Sequence, residues 1–204
     1  MSRRLSSALR WALPCALATG SALALAHTGN DGAAHHGIAD AAAAGFTHPF
    51  TGLDHLAAMV ALGLWSALTA RRIWLAPLVF ASSLLVGALL AFAGLSLPAV
   101  EPMIAASLLV LGLLVASRAA LPEVLALSLA ASFALFHGLA HGQELNGPFG
   151  AWALAGMVSA TVLLHAGGVA LGLVMKRSPV WLPRIAAAAG AGVALFGVSL
   201  LVGV

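Results

Sequence analysis

From Thr51 onward the chain alternates long apolar runs with short polar punctuation. Runs at 51–70, 73–95, 100–117, 121–141, 149–175 and 181–203 come close to or exceed the ~20 residues that a bilayer-crossing helix needs. Pro77, Pro98, Pro102, Pro122, Pro148, Pro179 and Pro183 fall at or near their ends, where helix starts and turns tolerate proline. The pattern predicts an all-α membrane protein, a bundle of six transmembrane helices over residues 48–204. Gly168-x-x-x-Gly172, and Gly190, Gly192 and Gly197 among alanines, predict faces where helices pack closely. No internal repeat stands out: Gly52-Leu53-Asp54-His55 echoes Gly138-Leu139-Ala140-His141 only as far as chance allows in a chain this rich in Gly, Leu and Ala.

Ahead of the first run the pattern differs. Arg3, Arg4 and Arg10, the apolar stretch Trp11 to Leu25 and the small-residue site Ala24-Leu25-Ala26 predict a cleaved signal peptide over residues 1–26. Residues 27–47 are polar and small, with Gly29, Gly32, Gly37 and an alanine run. They predict an external, periplasmic tail carrying His27, His35 and His36.

Composition sharpens the class. The chain is 62% hydrophobic and 7% charged, with mean hydropathy +1.06, against about 25% charged residues in a soluble domain. The net charge of +3 comes from scattered basic residues that form no patch, which excludes nucleic acid as a partner. Arg71, Arg72, Arg118, Lys176, Arg177 and Arg184 all fall on one side of the six-helix plan. That side is cytoplasmic by the positive-inside rule, and the mature amino terminus is periplasmic. The location predicted is the bacterial inner membrane. Cys15 is the single cysteine and leaves with the signal, so any metal is held by imidazole, carboxylate or thioether, a set suited to Ni, Co or Zn.

Two polar clusters interrupt this apolar chain. One is His48-Pro49-Phe50-Thr51-Gly52-Leu53-Asp54-His55, at the mouth of the first run. The other is His137-Gly138-Leu139-Ala140-His141-Gly142-Gln143-Glu144, at the end of the fourth. An Asp near the centre of a membrane helix costs about 2.5–3.5 kcal/mol on insertion scales, so such groups mark function. His137 and His141 stand one turn apart on one face, about 6 Å along the axis, with Glu144 following them. The predicted metal ligands are His48, Asp54, His55, His137, His141 and Glu144. Thr51 and Asp54 also fit a capping box, a structural reading of Asp54 that leaves His55 and His48 unexplained. Glu101, His165 and Met59 are pathway candidates: Glu101 heads the third helix, His165 lies deep in the fifth, and Met59 follows His55 by one turn. His27, His35 and His36 are candidates for capture by the tail.

The sequence has no phosphate-binding Gly-rich loop with Lys-Ser/Thr, so the chain by itself is not expected to be an ATP-driven pump. Three classes stay open: a permease, a metal-binding accessory or sensor that does not transport, and an intramembrane zinc hydrolase in which three histidines, an Asp and a serine such as Ser107 or Ser132 build a zinc site with an open water position.

The motifs His48-Pro-x-x-Gly52-x-Asp54-His55, Glu101 at the head of helix three, and Phe136-His137-Gly-x-Ala-His141-Gly-x-Glu144 resemble the HupE/UreJ family of hydrogenase and urease accessory membrane proteins. The resemblance covers nearly all of the chain after residue 26. It implies a permease that imports nickel, or cobalt in some members, to mature a hydrogenase or a urease. By similarity it places the transported ion on His48, Asp54, His55, His137, His141 and Glu144, with His165 suiting the fifth-helix pattern. Ni(II) or Co(II) is then substrate, and no permanent cofactor is expected. The expected partners are the divalent ion, the lipid bilayer and further copies of the chain in a homo-oligomer.

Overall fold

The computed structural model describes residues 37–203. The predicted signal peptide and the tail residues His27, His35 and His36 lie outside the described residues. Among those described are seven helices and no strand: α1 Ile38–Thr51, α2 Leu53–Thr69, α3 Leu75–Phe92, α4 Val100–Ser117, α5 Glu123–Glu144, α6 Gly150–Lys176 and α7 Leu182–Val202. Helices α3 to α7 are each long and apolar enough to cross a membrane. A sixth crossing arises only if α1 and α2, bent by 78° at their junction, are taken as one broken span.

The first predicted span, 51–70, holds α2, and it is the tail that is corrected: residues 38–47, expected in an external tail, form most of α1. Ala41 to Ala44 have the highest helix propensity available, and Asp40 sits in the first turn, where the helix dipole favours a negative charge. Ala41, Gly45 and Pro49, spaced at i, i+4 and i+8, are buried and turn one small-residue face to α6. A Cβ on Gly45 would strike the Ala153 carbonyl, and one on Gly156 the Ala42 carbonyl, so α1 is docked backbone to backbone. The low hydropathy of this face hid it.

The capping box is also corrected. Thr51 is still in the last turn of α1, where its hydroxyl donates back to the His48 carbonyl at 2.8 Å. The residue ahead of α2 is Gly52, in extended backbone with no side-chain cap.

Two parallel crossings organise the bundle. Helix α2 meets α6 at Gly63 and Gly168, and α3 meets α5 at Gly87 and Gly138, each glycine facing the partner's backbone. Helices α4 and α7 pair at Gly112 and Gly190. Gly190, Gly197, Gly168 and Gly172 are packed as expected, whereas Gly192 has nothing within 4 Å. Short connections reverse the chain between successive helices. Arg71, Arg72, Arg118, Lys176, Arg177 and Arg184 therefore gather at one end, and the elbow between α1 and α2 joins the end of α5 at the other.

Candidate metal centre

The elbow builds the first half of the site. Pro49 offers no N–H to Gly45, so the last turn of α1 is already weakened, and Gly52 at φ −85° and ψ 105° breaks it. His48 closes α1 while Asp54 and His55 open α2, and the 78° bend folds these residues toward one another. A side chain at residue 52 would press on Asp54 Oδ1 at 3.1 Å and His55 Nδ1 at 3.3 Å, which accounts for glycine there. The last turns of α5 supply the second half, with His137, His141 and Glu144 on one face.

The two halves meet. One ligand atom each from His48, His141 and Glu144 lies within 4.8 Å of the others. Glu144 Oε2 is 3.1 Å from His48 Nε2 and 3.6 Å from His141 Nδ1. Two imidazoles and a carboxylate around a common point are a donor set for a borderline divalent cation. His141 is fully buried; its Nδ1 faces the Glu144 carboxylate at 3.6 Å, and its Nε2 has no hydrogen-bond partner among the described residues. Buried polar atoms are normally satisfied, so a nitrogen left this way calls for a ligand.

Behind this group the rings continue inward. Centroid separations are 4.8 Å from His48 to His141, 4.2 Å from His141 to His55 and 4.8 Å from His55 to His137. Phe80 follows, 5.5 Å from His137 and 5.2 Å from His165. Five histidines and one phenylalanine thus form a file from the end of the bundle to its interior.

Two of the imidazoles are oriented from outside the file. His55 Nδ1–H donates to Asp54 Oδ1 at 3.0 Å, which leaves Nε2 with the lone pair a metal needs. Asp54, predicted as a ligand, lies beside His55 and holds its Nδ1–H through Oδ1. The Ser107 hydroxyl donates to the Ile104 carbonyl at 2.6 Å and so accepts from His137 Nε2–H at 3.0 Å, which makes Nδ1 the basic nitrogen of His137.

The other candidates are dispersed. Glu101 is exposed and lines a cavity of about 280 Å³ with Gln143 and Glu144, beside the metal group. Met59 is fully buried in the apolar core. His165 is buried beyond Phe80, and neither of its ring nitrogens has a hydrogen-bond partner among the described residues. Sequence reasoning missed Phe80 in the file and the orienting role of Ser107. Neither carried a signal, since Phe and Ser are ordinary in apolar helices.

Comparison with known proteins gives a consistent result. The family described as HupE / UreJ protein matches residues 15–200. The chain is also similar to Protein HupE of Rhizobium leguminosarum bv. viciae, 43% identical over 173 residues, or 83% of this chain and 90% of that protein. No solved structure matches.

Proposed function

The chain belongs to the HupE / UreJ family, and from that premise we propose that it is a secondary transporter importing Ni(II), or Co(II), across the inner membrane for hydrogenase or urease maturation. The observation that carries the reading is the convergence of His48, His141 and Glu144 within 4.8 Å at one end of an apolar bundle. The basic residues cluster at the opposite end, so the positive-inside rule makes the histidine end periplasmic.

Each element then has a task. The cation exchanges water for Glu144, His48 and His141 at the mouth. It moves to His55, aimed by Asp54, and to His137, aimed by Ser107. Phe80 separates these from His165, which takes the ion next. Neutral imidazoles release a cation more readily than a cage of carboxylates, and transport needs sites that bind without trapping. No nucleotide is required. An inside-negative potential of 100 mV supplies about 2.3 kcal/mol per charge, hence ~4.6 kcal/mol for a dication and an accumulation on the order of a thousandfold.

Neither serine supports a hydrolase by acting as nucleophile: Ser107 gives its proton to a backbone carbonyl and accepts from His137, the reverse of an activated serine, and Ser132 is exposed on the flank of α5. Radioactive nickel uptake by cells that lack their own nickel permeases tests the proposal. The chain restores uptake and His141→Ala abolishes it while the protein stays in the membrane. Uptake by His141→Ala near the unsubstituted level sinks the reading, and binding without uptake by the unsubstituted chain leaves a sensor instead.

A further inference from the structure

The two parallel crossings share one geometry. A Cβ on Gly63 would strike the His165 carbonyl and the Val169 amide, and one on Gly168 the Val60 carbonyl and the Leu64 amide. A Cβ on Gly138 would strike the Leu84 carbonyl and the Ala88 amide, and one on Gly87 the Leu135 carbonyl and the Leu139 amide. In every case the contacts fall three residues before and one residue after the facing glycine. Helices α4 and α7 cross in a different register that is again reciprocal, with contacts at the facing glycine and four residues after it: Gly112 meets the Gly190 carbonyl and the Ala194 amide, while Gly190 meets the Gly112 carbonyl and the Ala116 amide. These glycine contacts match if α2 corresponds to α5, α3 to α6 and α4 to α7, although the match stops short of the whole bundle, since α2 packs on α4 while α5 and α7 scarcely touch. Because successive helices alternate in direction, this correspondence turns the bundle end over end. This is the inverted repeat common in transporters. Its register differs from the Gly-Leu-x-His echo seen in the sequence.

Placing Gly63 on Gly138 takes Thr69 to Glu144, Ser66 to His141, Trp65 to Ala140 and Leu62 to His137. Carried back along the chain, the same register takes Glu123 to His48. Residues equivalent to the metal group therefore lie at the arginine end, between the last turn of α2 and the first of α5. A cavity of about 290 Å³ occupies that position, lined by Trp65, Thr69, Arg71, Arg72, Glu123 and Leu127 among others. Trp65 is its deepest residue on α2, buried, with its indole N–H donating to the Ala119 carbonyl at 2.9 Å. Where the histidine end has the small Ala140, this end has the largest side chain available.

We propose that this cavity is the cation's exit on the cytoplasmic side, the counterpart of the entry site, and that Trp65 is the plug that closes it. The inference rests on the permease reading. The chemistry of the exit suits release. Of the residues equivalent to the entry ligands, Thr69 lines the cavity while Ser66 and Leu62 are buried behind it, and no imidazole among the described residues faces the ion there. The rim carboxylate Glu123 leans on Arg72 at 3.7 Å. The two rim guanidiniums oppose retention of a dication, so an ion arriving from His165 is passed on and not held.

The full-length chain, with Cys15→Ser removing its one native thiol, carries single cysteines for labelling by a membrane-impermeant thiol reagent applied to either face. Thr69→Cys is expected to react only from the cytoplasmic face, and Leu62→Cys, buried beyond the plug, to be at least a hundredfold slower. Adding Trp65→Ala should speed Leu62→Cys at least tenfold from that face. Should Trp65→Ala fail to accumulate, Trp65→Phe, which keeps the ring and drops the N–H, should speed it about threefold. An unchanged Leu62→Cys rate in both backgrounds while Thr69→Cys reacts, or reaction of Thr69→Cys from the periplasmic face only, overturns the proposal. Labelling needs no nickel, so this failure is separate from that of the permease reading, which falls on absent uptake by the unsubstituted chain.

Discussion

The crossing of α2 on α6 and that of α3 on α5 are built alike, glycine against backbone on both sides, yet the ends they hold differ in kind. Beyond Gly138 the helix carries His141 and Glu144. Beyond Gly63 the equivalent turns carry Ser66 and Thr69, with the Ser66 hydroxyl spent on the Ile73 carbonyl at 2.8 Å. The scaffold is repeated and the chemistry is not. The proposed metal binding rests on a few side chains at one end, while the glycine packing that holds them is common to both. The sharpest way to break this contrast is to remove the equivalent residue at each end. His141→Ala should lower nickel uptake at least about 100-fold, as the loss of a ligand from a site with few of them does. Ser66→Ala should lower it less than about threefold. Equal effects would mean that the ends differ less than their residues suggest.

Packing should respond in the opposite way, alike at both crossings. Gly63→Ala and Gly138→Ala each force a methyl into a facing carbonyl, an overpacking that costs about 1–3 kcal/mol. The two losses should agree within about 1 kcal/mol in equilibrium unfolding from mixed micelles. Gly167→Ala, with nothing within 4 Å, should be neutral or stabilising by up to about 1 kcal/mol, as alanine is in an open helix position. A crossing that tolerates alanine while its twin does not would count against the repeat.

Within the histidine end, ligands and the groups that aim them are also separable. Asp54→Asn keeps the shape of the side chain but loses the charge that holds the His55 Nδ1–H. Nickel affinity should fall about 10-fold, the low end for a partner that orients a ligand, as read by equilibrium dialysis of the purified chain. A loss as large as that of His141→Ala in the same dialysis would make Asp54 a ligand in its own right.

Parts of this arrangement were open to a reader of the sequence, and the reason is contrast. Histidine and carboxylate stand out against runs of Leu, Ala and Val, so both clusters were visible, as was the one-turn spacing of His137 and His141. Helix α1 was not, because alanine and glycine give little hydropathy contrast and its buried face consists of Ala41, Gly45 and Pro49. The Thr51-x-x-Asp54 pattern misled because a local motif does not reveal that the preceding helix has yet to end. Phe80 and Ser107 gain their roles only when α3 and α4 bring them to His137. The repeat stayed hidden because its equivalences pair unlike residues, such as Leu62 with His137 and Trp65 with Ala140. It exists in contacts between backbones.

The smallest expected effect compares the two ends of a single helix. Ala99, before α4, has φ 63°, and Arg118, after it, has φ 52°. Both are left-handed conformations that cost a residue with a Cβ about 1–2 kcal/mol. Ala99 lies in the wall of the cavity it shares with Glu101 and Glu144, where strain often accompanies a functional loop. Arg118 is exposed among the basic residues of the opposite end. Glycine at residue 99 removes the strain but returns about 0.4–1 kcal/mol through the greater freedom of the unfolded chain. Ala99→Gly should therefore stabilise by about 0.5–1 kcal/mol. Arg118→Gly should stabilise less, since it also removes the packing of the long Arg118 stem at the basic end. Thermal unfolding of the two variants side by side reads the difference. If Ala99→Gly destabilises the chain, the methyl of Ala99 holds the cavity wall in place and its backbone carries no strain to relieve.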